Sequence, residues 1–179
     1  FAGVLLSLVL YLERTSRPKI VQRAPDPRAH KRAFSSAPEL PECPQLKLLR
    51  IDGSLFFGSV SHVQEKLESV RAESPRQKHL AIVAAGINFI NLQGSETLAD
   101  EARRRKAAGG NLYLMHVKKA VWESLERFGA FDSIDERNVF QSKTAAVRGI
   151  FSKLDRGVCA GCEKSVFMEC RDVNKFSMR

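Results

Sequence analysis

The 179-residue sequence lacks several features that would assign a protein to a class at once. It has only 11 glycines and 7 prolines, and 27% of its residues are charged, so it is neither collagen-like nor disordered throughout. It contains no GxxxxGK[ST], GxGxxG, GxSxG or HExxH motif. Its four histidines are dispersed, and its adjacent carboxylates lie in polar stretches. We therefore expect a folded domain that is not an enzyme.

The four cysteines do not form the evenly spaced framework of a small secreted protein, which indicates a reducing compartment. Cys159 and Cys162 have the CxxC spacing that zinc sites and redox pairs share, and Cys170 follows them. A closed zinc site needs four ligands, so the fourth would be Cys43, a distant histidine or a second chain. Ordinary thiols, a zinc site at these three tail cysteines and a redox pair all stay open. We expect no other cofactor.

The net charge of +9 is unevenly distributed along the chain. Residues 1–37 hold seven basic and two acidic side chains, whereas residues 38–152 hold sixteen and fourteen. A nucleic-acid-binding domain would carry its excess on the folded unit. The excess of basic side chains instead follows an apolar segment. This order favours contact of residues 14–32 with an anionic lipid surface, and we expect no nucleic-acid partner. A basic run at 103–106 is expected to end a helix, because the negative end of the helix dipole stabilises cations there. A nucleic-acid-binding patch at this run is the rival interpretation.

The first twelve residues, FAGVLLSLVLYL, carry no charge, and basic residues follow them. A secretory signal has the opposite order, and a complete membrane span needs about 20 apolar residues. We therefore interpret residues 1–13 as the end of a truncated last transmembrane helix and residues 14–45 as a basic, proline-rich linker. The positive-inside rule then places residues 14–179 on the cytoplasmic side of the inner (plasma) membrane. The alternative is a short amphipathic or buried helix of a soluble protein.

Strand and helix patterns alternate after the linker. Apolar residues predict a strand pair at 45–52 and 54–60, and continuous apolar runs predict buried strands at 79–86 and 111–117. Helical spacing of apolar residues separates these runs, first at Val60, Val63, Leu67 and Val70 and then over residues 94–108. The order predicts the α/β class, with a mixed, mostly parallel sheet of four to five strands and about four helices.

The stretches LKLLRIDGSLFFGSVSHVQEKL, HLAIVAAGINFINLQGSETLADEARRRKAAGGNLYLMHV and LERFGAFDSI, in this order after the apolar segment and linker, resemble a particular family. They are similar to the carboxy-terminal STAS domain of SulP-family (sulfate permease) anion transporters. The resemblance covers residues 46–155 and leaves residues 156–179 as a cysteine-containing tail. It implies a regulatory or interaction domain of a secondary active transporter of sulfate or a related anion, in a fragment without the transport core. The implied partners are the transmembrane core of the same transporter and a second copy in the full-length protein.

Bacterial anti-sigma factor antagonists also carry STAS domains, with a phosphorylated serine in an Asp-Ser-Ser-Gly loop. The resemblance places that loop at residues 91–95, which we term the phospho-loop equivalent. Asn91 takes the place of the aspartate, Leu92 and Gln93 replace the two serines, and Gly94 is retained. The acceptor hydroxyl is therefore absent, and the neighbouring Ser95 is either a substitute acceptor or a helix N-cap. A soluble anti-sigma factor antagonist-like interaction module is the alternative function.

Overall fold

The computed structural model describes residues 2–26 and 33–170, so parts of the predicted linker and tail lie outside the described residues. The strands in these ranges are β1 (Lys19–Pro25), β2 (Phe34–Ser35), β3 (Leu46–Asp52), β4 (His79–Gly86), β5 (Leu112–Met115) and β6 (Val139–Phe140). The helices are α1 (Ala2–Ser16), α2 (Phe57–Glu73), α3 (Leu92–Ala107), α4 (Lys119–Arg127), α5 (Lys143–Phe151) and α6 (Arg156–Ala160). Two short 3₁₀ turns, Ala130–Asp132 and Glu136–Asn138, precede β6.

The sheet has the strand order β2-β1-β3-β4-β5-β6. Strands β3 to β6 run parallel, whereas β1 pairs antiparallel with both β2 and β3. This confirms the α/β class and the mixed, mostly parallel sheet, with six strands instead of four to five. Both extra strands lie in the stretch that we assigned to the linker. Prolines there exclude a helix but tolerate a strand, because Pro18 precedes β1 and Pro25 is its last residue.

The segment after β3 differs from the predicted strand at 54–60. Leu55 makes a single parallel bridge to Ile90, and α2 begins two residues later. The hydroxyl of Ser59 accepts a hydrogen bond from the backbone N–H of Phe56 at 3.0 Å, which satisfies an N–H group at the start of the helix. The apolar residues of this segment follow a pattern typical of a strand, but its hydrogen bonds form the start of a helix.

Helices cover both faces of the parallel strands, which explains why β4 and β5 are apolar runs without alternation. On one face α2, α3 and α4 pack against the sheet, through a core that includes Leu49, Ile51, Val63, Leu67, Ile82, Leu98, Leu114 and Leu125. On the other face α5, α6 and the segment after α6 pack against a second core, which includes Leu48, Val83, Tyr113, Met115, Ile150, Cys159 and Phe167. The start of the cysteine-containing tail is therefore part of the folded unit.

The basic run at 103–106 does not form a continuous surface patch. Arg105 is buried, and its Nε donates to Glu101 Oε1 at 2.6 Å while its Nη1 donates to the carbonyl oxygen of Gln77 at 2.7 Å. Arg71 of α2 also pairs with the buried Glu101. Arg105 thus joins α3 to the loop before β4, and the pair of Arg71 with Glu101 joins α3 to α2. Breaking such a buried pair costs about 3–5 kcal/mol.

His79 opens β4 in a buried position on the second core. Its Nδ1 lies 3.1 Å from the hydroxyl oxygen of Tyr113, and the two rings stack with centroids 5.8 Å apart. Burial lowers the pKa of His79, and the positive charges of Arg105, Lys153 and Lys78 lower it further. The imidazole is therefore neutral in the folded protein near neutral pH.

We expect the free energy of unfolding to fall as the pH is lowered from about 8 to about 5, with His79 contributing to the fall. The pKa of His79 lies below its ordinary value of 6.5 in the folded state, so the unfolded chain binds the proton more readily. This contribution is present above pH 6.5 and is lost as the pH falls toward the folded-state pKa. Urea unfolding across this pH range measures it. The His79→Gln variant should show a shallower pH dependence than the wild type; a wild-type slope in this variant would contradict the account.

Candidate functional site

The phospho-loop equivalent consists of the N-cap and the first turn of α3, at the edge of the sheet where the parallel strands end. We term this the carboxyl edge. The backbone N–H of Leu55 donates to the carbonyl oxygen of Phe89 at 2.9 Å, and the N–H of Asn91 donates to the carbonyl oxygen of Leu55 at 3.0 Å. These two bonds join the loop after β4 to the segment after β3. The carboxyl edge is consequently a surface built from two backbone segments.

Asn91 is the N-cap of α3. Its side-chain oxygen accepts a hydrogen bond from the backbone N–H of Gly94 at 3.0 Å, and its carbonyl oxygen accepts one from the N–H of Ser95 at 2.9 Å. The helix therefore begins at Leu92, and Ser95 is not the cap that we considered from the sequence. Asparagine is as good a cap as serine, so the signal was present three residues before Gly94.

The side chains of the loop divide into an exposed and a buried group. Leu92 and Gln93, which replace the two serines of the family loop, are exposed to solvent. Ser95 is 0% exposed, and its hydroxyl has no hydrogen-bond partner among the described residues. The positions that a partner protein can touch therefore carry no hydroxyl, and the nearby hydroxyl is enclosed within the domain.

Gly94 allows the start of α3 to approach the segment after β3. A Cβ atom at this position would lie 2.4 Å from the carbonyl oxygen of Leu55 and 2.7 Å from its Cβ atom. Real Cβ atoms essentially never make contacts below 3.0 Å, so only glycine fits without a backbone shift. The retained glycine of the family loop thus has a packing role in this chain.

Three large apolar side chains are exposed at the carboxyl edge. Phe57 is 74% exposed, Phe89 is 55% exposed and Leu92 is 48% exposed. They lie on the two segments that the hydrogen bonds of Leu55 join, and we term them the apolar patch. The sequence interpretation missed this patch. It assigned Phe57 to a strand, and it did not predict that Phe89 is exposed. Exposed apolar residues on neighbouring segments make this edge a candidate interaction surface.

Helix α1 reaches the domain beside the apolar patch. The hydroxyl oxygen of Ser16, the last residue of α1, lies 3.3 Å from the position that a Cβ of Gly58 would occupy. Seven large apolar side chains of α1 whose burial the structure describes are between 51% and 73% exposed: Val4, Leu5, Leu6, Leu8, Val9, Leu10 and Tyr11. Among the described residues, no helix combines the length and the apolar character that crossing a membrane requires.

The cysteines that the sequence singled out line a small cavity away from the carboxyl edge. Cys159, Cys162 and Cys170 line it together with Cys43 from the segment before β3. All four thiols are free, and burial raises the pKa of Cys43 to about 11. As the described side chains stand, no three His, Cys, Asp or Glu residues form a group that could hold a metal ion. The structure thus places Cys43 beside the three tail cysteines, but the four side chains are not arranged to coordinate a metal ion.

The profile of the STAS domain matches residues 37–146, which is more than half of the chain. The chain belongs to the STAS domain family. The resemblance stated from the sequence is therefore confirmed. The matched region contains β3 to β6, α2 to α4, the phospho-loop equivalent and the apolar patch.

Individual relatives include transporters and a regulator. The chain is 24% identical over 138 residues to the putative sulfate transporter YvdB of Bacillus subtilis (strain 168), a match that covers 77% of this chain and 24% of the relative. The chain thus spans about a quarter of that relative's length. The structure of the murine Solute Carrier 26 family member A9 anion transporter in the inward-facing state shares the fold with a TM-score of 0.70 at 18% identity, covering 84% of this chain and 25% of that chain. An anti-sigma factor antagonist from Mycobacterium paratuberculosis shares it with a TM-score of 0.52 at 13% identity, covering 74% of this chain and 95% of that chain.

Replacing Gly94 by alanine should destabilise the domain by about 1–3 kcal/mol, because the new methyl group forces α3 away from Leu55. Urea unfolding of the two proteins measures the difference. Gly161→Ala is the matched control, since the nearest atom to its added Cβ lies at 3.9 Å, an ordinary contact. Equal unfolding midpoints for Gly94→Ala and the wild type would show that the close approach at Leu55 is absent in solution.

Proposed function

We propose that this chain is the carboxy-terminal regulatory portion of a SulP-type secondary active transporter of sulfate or a related anion. The portion lacks the transport core, and its role is to dock on that core and not to carry the anion or to catalyse a reaction. One observation carries the proposal. Helix α1, with its exposed apolar side chains, joins the domain beside the exposed apolar patch.

The exposed face of α1 fits a lipid environment better than water. Full burial of each large apolar side chain is worth about 1.5–3 kcal/mol, and seven such side chains of α1 are more than half exposed. At a rise of about 1.5 Å per residue, the 15-residue helix is roughly 22 Å long, short of the hydrocarbon thickness of about 30 Å. In the proposal α1 is therefore the end of the last transmembrane helix, completed by residues outside this sequence.

The residues that follow α1 suit the membrane surface. Arg17 and Lys19 are exposed between the helix and the sheet. Such cations are each worth about 1 kcal/mol beside anionic headgroups, and they favour the cytoplasmic side. We therefore propose that residues from 14 onward lie at the cytoplasmic face of the inner (plasma) membrane.

The pairing of β1 limits how the domain sits below the membrane. Lys19 pairs with Asp52, the last residue of β3, so β1 starts at the carboxyl edge. Only Arg17 and Pro18 separate α1 from β1. This short connection limits how far the domain can rotate relative to α1. The apolar patch then faces the cytoplasmic side of the transporter core, the partner of the same chain. The proposal also includes a homodimer of the full-length protein, which only the family resemblance supports.

An anti-sigma factor antagonist-like interaction module is the second candidate, and the shared fold favours it. The phospho-loop equivalent argues against a phosphorylation switch, since Leu92 and Gln93 have no acceptor hydroxyl and Ser95 is buried. An uncharged loop also cannot reproduce the phosphoserine charge of about −1.5 to −2. A serine kinase that modified Ser95 in the folded chain would favour this candidate over the transporter proposal.

The first test is flotation of the 179-residue chain with vesicles of phosphatidylethanolamine and phosphatidylglycerol. We expect the wild type to float with the vesicles. The double variant Leu6→Asp/Leu10→Asp should stay in the soluble fraction, because two carboxylates oppose burial of α1 in lipid. Val158→Asp/Met168→Asp adds the same charge at exposed apolar positions outside α1 and should float like the wild type. Flotation of the α1 variant at the wild-type level would contradict the membrane role of α1.

The second test locates the docking surface in the full-length transporter. A photoreactive phenylalanine analogue in place of Phe57 or Phe89 should cross-link to the transmembrane core, since both side chains are exposed at the carboxyl edge. The same analogue in place of Met168, which is 61% exposed, should give no such product. Mass spectrometry of the cross-linked peptides identifies the partner. Cross-links from Met168 but from neither phenylalanine would overturn the proposed orientation.

A further inference from the structure

All four cysteines of the chain line one small cavity between the N-terminal and C-terminal parts of the domain. Cys43 precedes β3, Cys159 lies in α6, and Cys162 and Cys170 follow α6. The cavity has a volume of about 10 Å³, and its other lining residues are Pro44, Gln45, Phe151, Leu154 and Val166. Cys43 and Cys159 are buried, and Cys162 and Cys170 are half-buried. We refer to this arrangement as the four-cysteine cavity.

We propose that the four-cysteine cavity binds one Zn²⁺ ion, with Cys43, Cys159, Cys162 and Cys170 as its ligands. Thiolates are ligands that zinc accepts, and four of them make the closed tetrahedral set of a structural site. The CxxC spacing of Cys159 and Cys162 is the usual spacing for two ligands on one short segment. A closed set leaves no position for a substrate, so the ion would be structural and not catalytic.

Hydrogen-bond donors already surround two of the sulfur atoms. The backbone N–H groups of Gln45 and Leu46 donate to the sulfur of Cys43, and the side-chain Nε2 of Gln45 donates to Cys159 Sγ at 3.3 Å. Gln45 is held in place because it also exchanges hydrogen bonds with the backbone of Asp155 at 3.0 and 2.9 Å. Donors of this kind stabilise thiolates and orient them toward a metal.

Zinc binding has to displace the protons of these thiols. Burial raises the pKa of Cys43, Cys159 and Cys170, so the metal competes with protons for their sulfur atoms. Binding of Zn²⁺ exchanges four thiol protons for four sulfur–metal bonds and releases four protons to solvent, leaving a net charge of −2 on the site. The positive charge of Arg156 acts on Cys159 from the same helix and partly offsets that charge.

The site closes by movement of the tail. The four sulfurs do not yet form a metal-binding group, so binding requires their side chains to turn toward the cavity. Helix α6 ends at Ala160, so Cys162 lies beyond the end of a regular helix. The bound ion would then join the tail to the segment before β3, which is far away in sequence. This inference does not depend on the proposed docking to a transporter core.

The test uses the reduced 179-residue chain after removal of metal, titrated with Co²⁺ and then with Zn²⁺. We expect one equivalent of Co²⁺ to give thiolate charge-transfer and tetrahedral ligand-field absorption, and Zn²⁺ to displace it and raise the urea midpoint. Cys43→Ser and Cys159→Ser should each weaken zinc binding by at least about tenfold, the loss usual for even an outer-shell partner. Met168→Ala alters the same segment without touching a ligand and should bind like the wild type.

Three outcomes would overturn the proposal. Absence of thiolate–Co²⁺ absorption in the folded, reduced chain would show that the cysteines are ordinary core thiols. Wild-type zinc affinity in Cys43→Ser would show that any bound ion uses the tail alone. Disulfides detected by mass spectrometry before reduction, with no metal uptake after it, would assign the cluster to thiol oxidation. Cys162→Ser and Cys170→Ser, whose side chains are less buried, distinguish loss of a ligand from loss of folding.

Discussion

The antiparallel pairing of β1 with β3 determines how this domain presents its surfaces. It places the start of β1 at the carboxyl edge of the sheet, opposite Asp52. Because α1 ends only two residues earlier, the apolar helix enters the domain at that same edge. The apolar patch and the phospho-loop equivalent lie there too. A single strand pairing therefore brings together the apolar helix α1, the apolar patch and the phospho-loop equivalent.

In the proposed function, the carboxyl edge serves for contact and not for a chemical switch. Leu55 holds the loop after β4 through two backbone hydrogen bonds, and Gly94 allows α3 to pack directly on Leu55. Asn91 caps the helix with a neutral side chain. The outward positions carry Leu92 and Gln93. The chain shares its fold with an anti-sigma factor antagonist, and at this edge it exposes the apolar patch.

Much of the fold was predictable because its signals are local. The apolar runs of β4 and β5 and the spaced valines and leucine of α2 identify their elements without reference to the rest of the chain. Strand β1 was not predictable, since its apolar pattern is weak and its place depends on pairing with β3. The apolar patch was equally hidden, because exposure of Phe57 follows from where α2 begins. The convergence of Cys43 with the tail cysteines requires the complete fold, since these residues are far apart in sequence.

Hydrogen exchange of backbone amides, compared between the 179-residue chain and the full-length transporter, tests the central claim most directly. Docking through the carboxyl edge should slow exchange at residues 55–60 and 88–93 in the full-length protein. Exchange at residues 74–78, the loop before β4 at the opposite edge, should be unchanged. Protection at 74–78 without protection at the carboxyl edge would contradict the account.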